Sequence, residues 1–374
     1  EAIATLEQKY LPNSAIAEPV RLPAHVSASI VIATCNRPDD LRQCLRYLEA
    51  QVSQRQVEII VVDNNPASGL TAPVVSEFPA VILVNEPRRG ANYARNAGIV
   101  VSTGDIIALI DDDVIMPPNW LENLIAPFSR ADVMAATGNI LPQELDTASQ
   151  RYFEQFGDGG LGRGFKQFEF NGDSFEWSSM QAVPTWKLGG TANSAFRASI
   201  FCHPEIGLPN EMLGPGMPSG AGEDIYIFYK ILKAGYTIFY EPTALVWHKH
   251  RRSVAGLQHQ LYNYSKGIIA YHLTTFLCDR DVRGLRACLV GLPNWQLQRI
   301  KARLQRRCDD SIPMILNNIL GNLAGPWSLW QSYRRVKRQG RSTPYIPVAQ
   351  RQIAVSEPEV AAHQPATVGN STVG

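Results

Sequence analysis

From residue 29 onward, short apolar runs rich in Val and Ile alternate with stretches whose apolar positions recur every three or four residues. Residues 29–34 and 57–63 are continuous apolar runs closed by polar residues, the pattern of buried strands. Leu41, Leu45 and Leu48 lie at helical spacing, so residues 38–50 are expected as a helix between them. Further strands are expected at 81–85 and 105–111, with a helix over 92–101 after Gly90. Strands alternating with helices predict an α/β domain built on a parallel sheet with crossover helices. Beyond Trp120 the rhythm changes. Strands are expected at 132–140, 192–198 and 237–240, and a helix over 223–234 that Gly235 ends. Residues 150–187, rich in Gly and aromatics, read as long loops. From residue 254 the chain reads as helical and basic.

Composition adds little to the class and much to the layout. The 374 residues are 45% apolar and 18% charged, enough for a sizeable core and against global disorder. The net charge of +1 conceals a division. Residues 1–250 carry 18 Lys and Arg against 28 Asp and Glu, whereas residues 251–341 carry 16 against 4. An acidic body with a basic C-terminal segment suggests an anionic surface as partner. Cys35, Cys44, Cys202, Cys278, Cys288 and Cys308 contain no Cys-x-x-Cys pair, which speaks against a zinc or thioredoxin site and fits a reducing, cytoplasmic compartment. The chain starts at Glu1, and neither a signal peptide nor a run of about 20 apolar residues is evident.

Candidate chemistry collects at the predicted strand ends, where open α/β sheets bind ligands. Asp63 closes the second strand and Asp111-Asp112-Asp113 the fourth. Three adjacent carboxylates repel one another, and a hard divalent cation held by oxygen ligands relieves that cost. An acidic turn in solvent is the plain alternative. Thr34-Cys35-Asn36-Arg37 follows the first strand, and Arg88-Arg89-Gly90 leads into Ala94-Arg95-Asn96-Ala97-Gly98. Glu223 and Asp224 open a helix after Gly220-Ala221-Gly222, and Trp247-His248-Lys249-His250 follows a late strand.

In this order the elements resemble the family 2 glycosyltransferases over roughly residues 28–250. The resemblance implies a GT-A (Rossmann-like), mainly parallel sheet flanked by helices, followed here by a C-terminal helical extension. It divides the chain into a lead-in (1–26), a catalytic domain (27–252), a basic helical extension (253–341) and a disordered tail (342–374). Within the catalytic domain, residues 27–114 are the nucleotide-binding half and 115–252 the acceptor half. The implied activity is inverting, metal-dependent transfer of a sugar from a nucleotide-sugar, by family frequency a UDP-sugar, to a hydroxyl of a saccharide, lipid-linked glycan or protein. Asp224 is the implied general base and Glu223 orients the acceptor. Thr34, Asn36, Arg37, Asp63, Arg95, Asp111, Asp112 and Gly190 are implied nucleotide-sugar contacts. Asp113, Asp111 and His248 are implied ligands of Mn²⁺ or Mg²⁺, with His250 the competitor of His248. Trp177 and Trp186 are either sugar-stacking or core residues, and Lys249, Arg251 and Arg252 either diphosphate contacts or basic surface. Cys35 departs from the family pattern, and nothing transfers beyond residue 255. A nucleotidyltransferase on a similar sheet is disfavoured because Ala33-Thr34-Cys35-Asn36 stands where a Gly-rich loop and Lys belong. A non-catalytic nucleotide-sugar or glycan-binding module is the other alternative.

In the extension, Leu297, Ile300 and Leu304 share one helical face. Trp327, Trp330 and Tyr333 adjoin Arg334, Arg335, Lys337 and Arg338, a combination suited to a membrane interface. Asn317, Asn318, Gly321, Asn322 and Pro326 argue against a spanning helix. Peripheral membrane contact through 290–341, or a helical lid packed on the catalytic domain, are the two expectations, and no nucleic-acid motif is present.

Overall fold

A computed structural model describes residues 21–156, 160–176, 178–305 and 311–351. The first half follows the expected alternation: β1 (Ala28–Thr34), α1 (Pro38–Glu49), β2 (Val57–Asp63), α2 (Thr71–Val75), β3 (Val81–Asn85), α3 (Ala91–Val101) and β4 (Ile106–Asp111). Then come β5 (Val114–Ile115), α4 (Trp120–Ile125), β6 (Val133–Pro142), α5 (Ala148–Gln155), β7 (Phe168–Phe170), α6 (Gly172–Glu176), β8 (Asn193–Arg197), α7 (Glu223–Lys233) and β9 (Thr237–His248).

The strands form one sheet in the order β3-β2-β1-β4-β8-β6-β9-β5, with β7 added on β9. It is parallel from β3 to β4 and again between β6 and β9. β8, β5 and β7 join antiparallel. Both faces are covered, which is why β1, β2 and β4 are continuous apolar runs and not alternating ones. Ile30 and Ile32 face one core, to which α1 contributes Leu41, Cys44, Leu45 and Leu48. Val31 faces the other, beneath Ala94 and Ile99 of α3 and Ile227, Phe228 and Ile231 of α7. Each of the Val, Leu, Ile and Phe side chains contributes about 1.5–3 kcal/mol by leaving water.

The register sets the site. Thr34 pairs with Asp63 across β1 and β2, and Ala33 with Asp111 across β1 and β4. The acidic strand ends therefore stand side by side on one edge of the sheet.

The region 150–187, expected as loops, also contains α5, β7 and α6. The helix start was written in the sequence: Thr147 and Gln150 form a reciprocal capping box. The extension is helical: α8 (Val254–Asp279), α9 (Val282–Arg286), α10 (Leu292–Leu304) and α11 (Ile312–Gln339). α8 and α11 approach closely because α11 turns small residues toward α8. A β-carbon at Gly321 would lie 2.7 Å from that of Ser265, and one at Gly325 would lie 2.4 Å from Ile269. Among the described residues no helix is long and apolar enough to cross a membrane. Of the expected tail, residues 342–351 are described and docked: Ser342 donates to Glu211, and Tyr345 is buried beside Phe201. Residues 352–374, most of the lead-in and Trp177 lie outside the described residues.

Candidate active site

The turn after β4 presents its three carboxylates differently. Asp112 turns inward. Its two oxygens accept from the Thr34 hydroxyl at 2.7 Å and from Arg37 Nη1 at 2.9 Å. Burial, followed by the charge of Asp113, pushes its carboxyl up to about 7. Arg37 Nη1 also donates to Asp113 Oδ2 at 2.8 Å. Its guanidinium is thereby held in the charged form although burial opposes this. Arg37 and Asp112 thus pin the turn.

Asp113 and Asp111 keep oxygens in reserve. Asp113 Oδ1 is buried and lacks a hydrogen-bond partner. His248 Nε2 lies 3.4 Å from it. β5 creates this encounter: Val114 pairs with His248 on β9, and Lys249 N–H donates to the Asp113 carbonyl. Asp111, Asp113 and His248 each offer a ligand atom, all within 4.8 Å of one another. An orphaned carboxylate oxygen facing an imidazole and a second carboxylate fits a divalent cation such as Mn²⁺ or Mg²⁺.

Behind His248 the chain of contacts continues. His248 Nδ1 lies 3.0 Å from His250 Nδ1, and His250 Nε2 lies 2.7 Å from Glu154 Oε1. One proton arrangement satisfies every pair when His248 Nε2 offers its lone pair forward. His248 Nδ1–H then donates to His250, and His250 Nε2–H donates to Glu154. Burial lowers the His248 pKa, which favours the neutral ring that this requires. Of the two competing histidines, His248 is therefore the one facing the acidic turn and His250 stands behind it. Glu154, on a helix where loop was expected, went unnoticed in the sequence. The capping box of α5 was the available signal for the helix, and nothing local marked the glutamate.

The other wall is built by α3 and α7. Arg95 is 5% exposed. Its Nη2 donates to Asp111 Oδ1 at 3.0 Å and its Nη1 to Glu223 Oε1 at 3.2 Å, bridging the two halves of the domain. Gly222, at φ +97°, lets the chain turn abruptly into α7. Glu223 and Asp224 occupy the first turn of α7. Burial, then the neighbouring Asp224 charge, raises the Glu223 carboxyl to about 7 against the pull of Arg95. Burial also raises Asp224, whose Oδ1 accepts from the Ile225 N–H at 2.7 Å. A β-carbon at Gly190 would sit 3.2 Å from Asp224 Oδ2, so glycine leaves that oxygen clear.

The remaining candidates lie around this centre. Asp63 is buried at its strand end and accepts from the Asn65 N–H at 2.9 Å. Asn36, at φ 59°, accepts from the Asn65 side chain on the exposed rim. Lys249 pairs with Asp40, and Arg252 with Glu144. Trp186 packs against the cluster of Leu213, Tyr226 and Tyr229.

Residues 29–186 match the family described as Glycosyl transferase family 2. The glycosyltransferase AglE of Haloferax volcanii is 30% identical over 60% of this chain and 67% of its own length. The pre-mycofactocin glycosyltransferase of Mycobacterium tuberculosis is 26% identical over 61% of this chain, which spans 44% of that relative. A solved structure titled as the mannosyltransferase PcManGT of Pyrobaculum calidifontis with GDP-Man and Mn²⁺ is 16% identical. It covers 95% of this chain and 91% of its own, with a TM-score of 0.49. The sheet, parallel through β3 to β4 and covered on both faces, defines an α/β domain with a cluster of carboxylates at one edge. The chain belongs to glycosyltransferase family 2.

Proposed function

We propose that this chain transfers a sugar from a nucleotide-sugar to an acceptor hydroxyl with inversion, Asp224 acting as general base. The observation that carries this reading is the convergence of Asp111, Asp113 and His248 with the Arg95–Glu223 bridge at one end of the sheet. Asp63, beside Thr34, is suited to accept hydrogen bonds from a base or ribose. Asp111, Asp113 and His248 would hold Mn²⁺ or Mg²⁺, which when bound supplies neutralisation of the charge gathering on the departing diphosphate.

Asp224 takes the proton as the acceptor oxygen bonds to the anomeric carbon. The bond from that carbon to the diphosphate oxygen breaks on the opposite face, so one displacement inverts the centre. Oδ1 of Asp224 is held by the Ile225 N–H, which leaves Oδ2, beside Gly190, for the proton. Glu223, fixed by Arg95, orients the acceptor. A UDP-sugar is the first donor to try, and a saccharide, lipid-linked glycan or protein supplies the hydroxyl.

The test is release of nucleoside diphosphate from a panel of nucleotide-sugars with Mn²⁺, Mg²⁺ or EDTA, alongside calorimetry of donor binding. Metal-dependent turnover or binding of one donor is expected. Absence of any donor binding, with or without metal, would overturn the reading.

A further inference from the structure

The outward face of α11 is apolar over most of its length. Ile312, Leu316, Leu320, Leu323, Trp327 and Trp330 are 41–73% exposed. At about 100° per residue they fall on one stripe, roughly 27 Å long. The same stripe continues into Arg334, Lys337 and Arg338, all exposed. At the junction Trp327 and Trp330 stack with 4.4 Å between ring centroids, and the Arg334 guanidinium lies 4.9 Å over the Trp330 ring. The opposite face is committed to α8 through Asn318, Gly321 and Gly325. α10, packed on α11, exposes Leu297 and Leu304 together with Lys301 and Arg303.

A patch of this size is not left to water without use. Its charge indicates the occupant. Residues 282–341 carry 12 Lys and Arg against two acidic residues, Asp309 and Asp310, so the segment is strongly positive. A second copy of the chain would bring the same excess of positive charge. Anionic headgroups supply the opposite sign, and acyl chains accept the apolar stripe. Aromatic residues at the apolar–basic boundary are the composition of a helix lying in a bilayer interface.

We propose that α11 docks in the surface of an anionic lipid bilayer, stripe downward, with Arg334, Lys337 and Arg338 among the headgroups. This goes beyond the transferase reading and does not depend on it.

The test uses the full chain and sedimentation with two kinds of vesicle, phosphatidylcholine alone and an equal mixture with phosphatidylglycerol. Two variants accompany it, Leu320→Ser/Leu323→Ser/Trp327→Ala and Arg334→Gln/Lys337→Gln/Arg338→Gln. All six side chains are exposed, so circular dichroism melting should be unchanged. The native chain should bind the mixed vesicles preferentially, with a blue shift of tryptophan emission. The charge variant should lose on the order of a hundredfold in partitioning at low salt. The apolar variant should lose the blue shift. Failure of the native chain to bind mixed vesicles, or variants binding as it does, would overturn the proposal. So would a dimer in solution that the apolar variant dissociates while no vesicle binding occurs.

Discussion

The site's carboxylates differ by what holds them. Asp112 has both oxygens engaged by Thr34 and Arg37, whereas Asp113 keeps one buried oxygen unpartnered. Sequence position alone, three aspartates in a row, could not separate these roles. The sequence did indicate Asp63 and Asp111, because the end of a buried strand is where a parallel sheet exposes chemistry. Asp224 carries the sharpest prediction. Asp224→Asn should lower kcat by about 10²–10⁴-fold while donor affinity by calorimetry is unchanged. Burial, opposed by the Ile225 N–H and Arg95 and reinforced by Asp111, holds the Asp224 carboxyl above its ordinary value. A base must be ionised to act. The acid limb of kcat/KM should therefore fall at a pH above the usual aspartate range, with activity lost as pH drops through it. Because burial and the neighbouring Asp224 charge raise the Glu223 carboxyl to about 7, the two titrate together and the limb should simplify in Glu223→Gln. Gly190→Ala places a methyl 3.2 Å from Asp224 Oδ2, the oxygen proposed to take the proton, and should reduce kcat by less than the roughly 10²-fold of a 1 Å misplacement, with the fold intact by circular dichroism.

At the scale of elements, two residues of strand bring the candidate metal ligands together. β5 is only Val114–Ile115, too short for any periodicity to announce, yet its pairing with β9 sets His248 against Asp113. The alternating first half was legible because β1, β2 and β4 are continuous apolar runs covered on both faces. The second half was less so, because β7 and α6 are held by contacts distant in sequence, such as Phe168 stacked on Tyr240. α5 has a local signature in its capping box, but its functional content, Glu154 against His250, arises only from tertiary placement. Glu154→Gln keeps the shape of the side chain and removes the charge that anchors the relay. Mn²⁺ affinity of the protein alone, by calorimetry or electron paramagnetic resonance, should fall about 10–100-fold. Unchanged affinity would remove His248 from the shell or Glu154 from its support.

At the scale of the whole molecule, the C-terminal helices are joined to the α7 side of the site at several points, among them Tyr226 and Lys230 on Asp279, Ser219 on Ser332, and a close approach of two backbones. α8 passes under the loop that enters α7, and a β-carbon at Gly267 would lie 2.6 Å from the backbone carbonyl carbon of Ala221. A β-carbon at Gly222 would in turn lie 2.7 Å from the Gly267 carbonyl oxygen. Two backbones in such contact leave no room for a methyl group, so Gly267→Ala must move the loop or α8. The side of α8 away from this loop is fixed by Gly325 on Ile269 and Asn318 on Ser265, which makes the loop the part that yields. The loop leads directly to Glu223 and Asp224, and Arg95 stands between Glu223 and Asp111 at the end of β4. Gly267→Ala should therefore lower kcat while the dissociation constant of the donor and the affinity for Mn²⁺ stay as they were. Overpacking of this kind costs about 1–3 kcal/mol, so a modest fall in melting temperature should accompany it. A parallel loss of donor binding would mean that the extension supports the whole domain. An unchanged kcat would mean that the loop has slack, and that the extension carries α11 without shaping the site.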